Sequence, residues 1–383
     1  MNSKIKPIAI YLPQFHPIPE NDWWWGKGFT EWNNVVKAKP RFENHYQPHL
    51  PADLGFYDLR LHEIREQQVQ LAKDNGIYGF CYYHYWFNGK RVLDRPFEEV
   101  FESKKPDFPF CLCWANENWT RAWDGSERDI LLEQSYSEQD DKEHINYLIK
   151  YFKDDRYIKV NGKPVFIFYK PDLFPNMKRT IEVFREEALK HGIELYLCRF
   201  ERWIDSKPYN DEEIGFDAAI EFQPLSPSLK EFVKHLERKA HQEYCNKSIV
   251  EKCIIKIDKK IENVFGKQDN TVKDDIFDYS EFVEFDLKRK QPKYKIYPGV
   301  SPMWDNTSRR ENQRAIIFKN STPTIFEKWF SKKIEKFKPF SEEENFIFIN
   351  AWNEWAEGNH LEPCKKWGLQ YLEAIKRTLK GND

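Results

Sequence analysis

Residues 59–85 read LRLHEIREQQVQLAKDNGIYGFCYYHY, and the fold is decided in this stretch. Apolar residues at helical spacing from Leu59 to Asn75 predict an amphipathic helix, Asn75-Gly76 stops it, and the aromatic run Ile77 to Tyr85 follows at once as a strand. A helix entering a strand through so short a turn is half of a βα repeat. The same grammar recurs at His191-Gly192 before Ile193 to Phe200. Working outward, further strands are predicted at Pro7 to Leu12, Phe108 to Ala115, Pro164 to Tyr169, Phe216 to Phe222, Lys295 to Ser301 and Phe346 to Ala351. Helices are predicted at Glu138 to Lys153, N-capped by Ser137, at Asn176 to His191 and at Thr324 to Phe337.

Eight strands alternating with helices close most economically into a (β/α)8 TIM barrel, an α/β fold. The length of 383 residues exceeds a minimal barrel, so insertions are expected, and two stand out. Pro13 to Asp58 follows the first strand, and Gln223 to Tyr294 follows the sixth. The second contains a Lys-rich helical stretch, Leu229 to Phe265, then an acidic, aromatic segment, Asp274 to Phe285. Neither has the length of an independent core, so residues 1–383 read as a single catalytic domain with a mainly helical insertion at 223–294. The Lys-rich helix reads as a solvated arm, with a docking or dimer surface as the alternative.

Sixty Lys plus Arg against 62 Asp plus Glu leave a formal charge of -2, which gives no general attraction for nucleic acid or anionic lipid. Forty per cent hydrophobic residues, with 14 Trp, 19 Tyr and 30 Phe, are enough for a large core. No run approaches the roughly 18 to 20 apolar residues of a membrane span. The opening MNSKIKPIAIYLPQFHPIPE turns polar and Pro-rich before a secretory segment could form, so the chain reads as cytoplasmic, with export left open. Seven scattered cysteines without a CxxC pair point to reduced thiols.

Turns after the strands carry most of the residues suited to chemistry. The eighth strand leads into Asn350-Ala351-Trp352-Asn353-Glu354-Trp355-Ala356-Glu357, where two carboxylates stand among indoles and amides. Burial against Trp raises one carboxyl pKa, and hydrogen bonds from Asn keep another ionised. Glycosidic bond cleavage needs one group to protonate the leaving oxygen and another to assist attack at the anomeric carbon. Glu354 and Glu357 are therefore the candidate catalytic pair, flanked by Asn350, Trp352 and Asn353. The plainer alternative makes them i,i+3 neighbours in the first turn of a helix.

The third strand ends in WANENWTRAWDG, where Trp114, Asn116, Glu117, Trp119 and Trp123 offer ring faces for pyranoses and paired hydrogen bonds for hydroxyls. A Trp-rich core patch with Glu117 and Arg121 paired is the alternative there. The first βα loop repeats the chemistry with Tyr11, Gln14, His16, Trp25, Glu31 and Trp32. Alternation along the second strand sends Tyr83 and Tyr85 to one face and His84 to the other, and His84 reads as a hydrogen-bonding residue rather than a base. Tyr169, Arg199, Glu221 and Trp304 hold matching positions after strands four to seven. His45 and His49 have ligand spacing, but Pro48 between them and the absence of a zinc signature predict no catalytic metal. Phosphate-cradling and serine-nucleophile motifs are also missing, and no cofactor is expected.

Four motifs in order, IAIYLPQFHPIPEND with GFTEWNNV, QPHLPADLGFYDLR, WANENWTRAWDG and NAWNEWAEGNHLEP, resemble the WbsX-type family. That family is labelled glycosyltransferase and is also described as glycoside hydrolase family 99-like. The resemblance implies a (β/α)8 barrel like that of the retaining family 99 endo-α-mannosidases. Their Glu-Trp-x-Glu motif matches Glu354-Trp355-Ala356-Glu357. By position, Glu354 would deprotonate the sugar 2-hydroxyl, giving a 1,2-anhydro intermediate, and Glu357 would act as general acid and then base. Tyr11 would correspond to a tyrosine near the end of the family's first strand. Ala356 departs from the His of the mannosidases, so mannose specificity does not transfer. The expected activity is a retaining glycoside hydrolase acting on a bacterial-type oligosaccharide or polysaccharide. The alternatives are a glycosyltransferase of O-antigen or capsule synthesis and a non-catalytic glycan-binding protein.

Overall fold

The structure is a computed structural model that describes residues 5–121, 126–202, 210–248, 273–310 and 314–381. Its main sheet is built from β1 (Lys6–Tyr11), β2 (Gly79–Phe87), β3 (Phe110–Trp114), β4 (Lys163–Phe168), β5 (Tyr196–Glu201), β6 (Ala218–Glu221), β7 and β8 (Phe346–Ile349). Strand β7 comes in two pieces, Ile296–Tyr297 and Gly299–Val300, because Pro298 between them has no amide hydrogen to give a ladder. The first piece pairs with β6 and the second with β8, so nine parallel segments wrap into a nearly closed barrel. This is the expected (β/α)8 architecture. Gly299 allows the two halves to meet: a Cβ there would lie 2.1 Å from the Glu221 carbonyl oxygen.

The helices form where the sequence signals them. His62–Asp74 ends at Asn75, and Gly76 and Gly192 both take the left-handed conformation, at φ 83° and 71°. The Ser137 hydroxyl accepts the Asp140 amide at 3.1 Å to start Glu138–Phe152, and Asn176 accepts Arg179 N at 3.1 Å to start Met177–Lys190. No described helix is long and apolar enough to cross a membrane.

The described parts of both insertions meet the loops at the C-terminal end of the barrel. The first carries the short helices Pro19–Trp25 and Glu31–Lys37. The second opens with the helix Pro227–Asn246, whose first turns bury Leu229 and Phe232 and whose later turns are exposed. The rest of the stretch expected to be helical, through Phe265, falls mainly outside the described residues. Strand Asp275–Asp278 then pairs with Ile316–Lys319, and the helix Tyr279–Lys288 packs Phe282 against Phe318 and Trp329.

A buried ion cluster binds this insertion to the barrel. The Lys333 ammonium donates to Glu221 at 2.6 Å and meets Asp286 at 2.9 Å, and all three side chains are at most 4% exposed. Trp329 and Gln223 complete the shell of Asp286 at 2.8 and 3.0 Å. Removing the cation would leave Asp286 buried without a counter-charge and Glu221 with only Arg289, 4.0 Å away. Lys333→Met is therefore expected to destabilise the fold by about 3–5 kcal/mol, read as a lower urea midpoint at unchanged slope.

Candidate active site

The cleft at the C-terminal ends of the strands encloses about 620 Å³. In it, β8 runs into a tight hairpin, Asn353–Glu354 against Asn359–His360, closed by one 3-10 turn over Trp355–Glu357. The motif is thus a hairpin rather than the first turn of an α-helix. Gly358 has φ 53°, and a Cβ there would press on the Asp305 backbone at 2.9 Å, so the hairpin can lie against the loop after β7. Asp305 N donates to the Glu357 carbonyl at 2.7 Å. The Asp305 carboxylate caps the 3-10 helix Asn306–Arg309 by accepting Thr307 N at 3.0 Å. It is itself held by His45 Nε2 at 2.6 Å and Gln47 Nε2 at 2.7 Å.

That capped turn aims Arg309 at three carboxylates. Its guanidinium donates to Glu31 at 2.8 Å, Glu357 at 2.7 Å and Glu354 at 2.9 Å. Glu31 is fully buried, and Glu354 is 4% exposed. Burial beside one another disfavours the joint ionisation of Glu354 and Glu357, which Arg309 offsets in part. Burial pushes Glu354 up to about 8, opposed by Arg309 and reinforced by the charges of Glu357 and Glu31. Burial also raises Glu357, again against Arg309 and with Glu31 adding to it. Glu354 and Glu357 share their protons as one unit.

The rest of the cleft is aromatic. Ring centroids run from Trp24 to Trp119 at 5.7 Å, Trp119 to Tyr85 at 5.4 Å, Tyr85 to Tyr83 at 6.5 Å and Tyr83 to Tyr169 at 5.7 Å. Arg202 lies over the Tyr169 ring at 4.4 Å. Lys170 pairs with Glu117 at the rim. Of the residues singled out in the sequence, Gln14, Trp25, Tyr83, Tyr85, Glu117, Trp119, Tyr169, Glu354 and Glu357 line this space, and Glu31 stands behind Arg309.

The others are placed elsewhere. Tyr11 points to the outer face of β1, where its hydroxyl donates to Gln68 at 2.8 Å, so it does not approach the carboxylates. Alternation puts His84 and Trp114 outward too: His84 meets His144 Nε2 at 2.8 Å, and the Trp114 ring lies 4.4 Å from His144. His16 and Trp32 are buried under the first loop, and Trp32 packs 5.4 Å from Trp355. Asn116 fastens the loops after β3 and β4 by accepting Lys170 N at 2.8 Å and donating to its carbonyl at 2.7 Å. Arg199 is consumed by Asp211 at 2.6 Å, and Glu221 by Lys333. Trp304 is a core residue. Asn350 donates to the Gln223 carbonyl at 2.8 Å, Trp352 packs on Phe80 at 5.0 Å, and Asn353 brackets the Leu12 backbone at 2.8 and 3.0 Å. Trp123 lies outside the described residues.

Sequence reading missed Arg309, with Arg202, Arg310, Lys170 and Asn21, which also border the cleft. A signal for the first was present. Asp305-Asn306-Thr307-Ser308-Arg309-Arg310 follows β7, and a cluster of carboxylates needs a cation.

A family model described as glycosyltransferase WbsX matches residues 7–375. Uncharacterized WxcX proteins from two strains of Xanthomonas campestris pv. campestris are each 37% identical over 374 residues. These cover 97% of the chain and 49% of each relative, so the chain spans about half the length of the curated relatives it matches. Among solved structures, the GH99 endo-alpha-mannosidase of Bacteroides thetaiotaomicron in complex with bis-tris-propane aligns with a TM-score of 0.56 and 13% identity over 98% of this chain and 96% of that one. A glycoside hydrolase-like protein aligns with a TM-score of 0.56 and 15% identity over 99% and 94%. At such identities the likeness is one of fold.

The raised Glu354 fixes a pH dependence. Between the ordinary 4.5 and about 8, the folded chain keeps a proton that the unfolded chain has released, so stability present at acid pH is lost as pH rises through that window. Glu354→Gln removes this loss. Its melting temperature is expected to rise relative to wild type between pH 5 and 9, with the gap widening upward, as measured by calorimetry. Arg309→Met has the opposite profile: a deficit of about 3–5 kcal/mol at pH 8 that shrinks toward pH 5 as the carboxyls protonate.

Proposed function

The chain belongs to the WbsX glycosyltransferase family, and from that premise we propose that it is a metal-independent, retaining glycoside hydrolase acting on an oligosaccharide or polysaccharide. One observation carries this reading: Glu354 and Glu357 hang on a single guanidinium and face a cleft paved with aromatic rings. Rings stack on the apolar faces of pyranoses, while a carboxyl pair with shared protons can give one and take one.

In the proposed sequence the proton of the pair rests on Glu357 when sugar is bound, and the ionised Glu354 takes the proton of the sugar 2-hydroxyl as that oxygen attacks C1. The glycosidic C1–O bond breaks on the opposite face, and Glu357 protonates the leaving oxygen. The product is a 1,2-anhydro sugar, formed without a covalent bond to protein. Glu357, now ionised, takes a proton from water, whose oxygen opens the three-membered ring at C1. O2 regains its proton from Glu354, and two inversions leave the configuration retained. The substrate must hold its 2-oxygen and glycosidic oxygen on opposite faces of the ring. Arg309 acts here as a positioning residue, pinning both carboxylates and limiting how far burial raises them.

The test offers defined α-linked oligosaccharides to the protein in one arm and nucleotide sugars with acceptors in another. Release of reducing sugar without nucleotide supports the hydrolase, whereas transfer only from nucleotide sugar assigns the site to a transferase. Glu354→Gln and Glu357→Gln should each lower turnover by about 10²–10⁴-fold with sugar affinity largely kept, as followed by product chromatography and titration. Undiminished turnover in both variants would reject the pair.

A further inference from the structure

The first βα insertion brings to the cleft polar groups that the catalytic pair does not use. Asn21 is fully buried, yet neither its Oδ1 nor its Nδ2 has a hydrogen-bond partner. Gln14 is 4% exposed, and its Nε2 is likewise unmatched. Both border the same cleft as Glu354 and Glu357. A buried amide without partners costs folding free energy, and at the wall of a cleft a bound ligand can complete it.

The local geometry shows how it is presented. Asn21, Trp24 and Trp25 lie at i, i+3 and i+4 of the helix Pro19–Trp25 and therefore share one face, and all three border the cleft. Trp23, on the other side of the helix, is 87% exposed to solvent. Asp22 closes the loop by accepting Gly28 N at 2.8 Å, and the Gln14 carbonyl accepts Glu31 N at 3.3 Å. The face is thus tied to the segment that holds Glu31 against Arg309. Indoles for a ring and amides for its edge make up a sugar-reading surface.

We propose that Gln14 and Asn21, beside Trp24 and Trp25, form a specificity subsite that reads a vicinal pair of pyranose hydroxyls. Asn21 offers one donor and one acceptor, and Gln14 adds a donor. Adjacent hydroxyls, each able to give and accept, meet this set. The inference rests on the glycan reading of the cleft but not on its being a hydrolase.

The probes are α-linked manno-, gluco- and galacto-trisaccharides and their monodeoxy analogues. Their binding is measured by calorimetric titration and indole fluorescence on Glu357→Gln protein, with and without Asn21→Leu or Gln14→Met. Each added substitution should weaken the best-bound trisaccharide about ten- to hundredfold. The loss should vanish for the analogue lacking the hydroxyl that is read. Because Leu and Met replace unmatched amides with apolar groups of similar size, melting temperatures should not fall. Parent-like affinity in both variants overturns the subsite, as does an equal loss for every sugar. If no sugar binds the parent protein, the subsite and the glycan reading fall together. Binding that responds as expected in a protein without turnover keeps the subsite and removes the hydrolase.

Discussion

A single guanidinium sets the terms for the functional end of this molecule. Arg309 comes from the turn after β7, Glu354 and Glu357 from the hairpin after β8, and Glu31 from the insertion after β1. A buried cation has to be paired, and buried acids need either a cation or a proton. Three separate stretches of chain are therefore obliged to converge within hydrogen-bond reach of one side chain. Burial in this convergence raises both Glu354 and Glu357 above the ordinary carboxyl range, against the pull of Arg309.

Behind this cluster stands a second layer that never reaches the cleft. Asp305, fastened by His45 and Gln47, caps the turn that bears Arg309. Glu362 accepts the indole of Trp355 at 2.7 Å, the hydroxyl of Tyr57 at 2.8 Å and the amide of Gln68 at 2.6 Å. Burial raises it to about 7 against those bonds. Trp355 is thereby fixed between the two catalytic candidates, with His360 stacked on its face at 3.7 Å. Asn353 joins the hairpin to β1, and Asn116 joins the β3 and β4 loops. Polar residues at strand ends divide in this way between facing the cleft and stitching its rim.

The parallel barrel makes that division possible. Every strand presents its C-terminal end to the same side, so side chains far apart in sequence meet without long connections. Successive residues point to opposite faces, and one position changes a residue's task. Tyr83 and Tyr85 therefore enter the cleft, while His84 between them joins His144 and Trp86 under the helices.

Much of the fold was legible in the chain itself. The βα rhythm, the Asn-Gly and His-Gly stops, the Ser137 and Asn176 caps and both insertions are local signals, because turns, caps and periodicity depend on neighbours in sequence. The carboxylate pair and the aromatic character of the loops were legible for the same reason. What the tertiary structure decided was partnership. Nothing near Glu221 in sequence announces Lys333, and nothing near Arg199 other than a downstream acid announces Asp211. The residues Trp114, Asn116, Trp352 and Asn353 look like site residues by type, but packing gives them structural work. Arg309 sits 45 and 48 residues from Glu354 and Glu357 and 278 from Glu31. Sequence determines which groups are available and on which side of a strand they stand, while burial and charge balance, which depend on everything folded around them, select the few that meet a ligand.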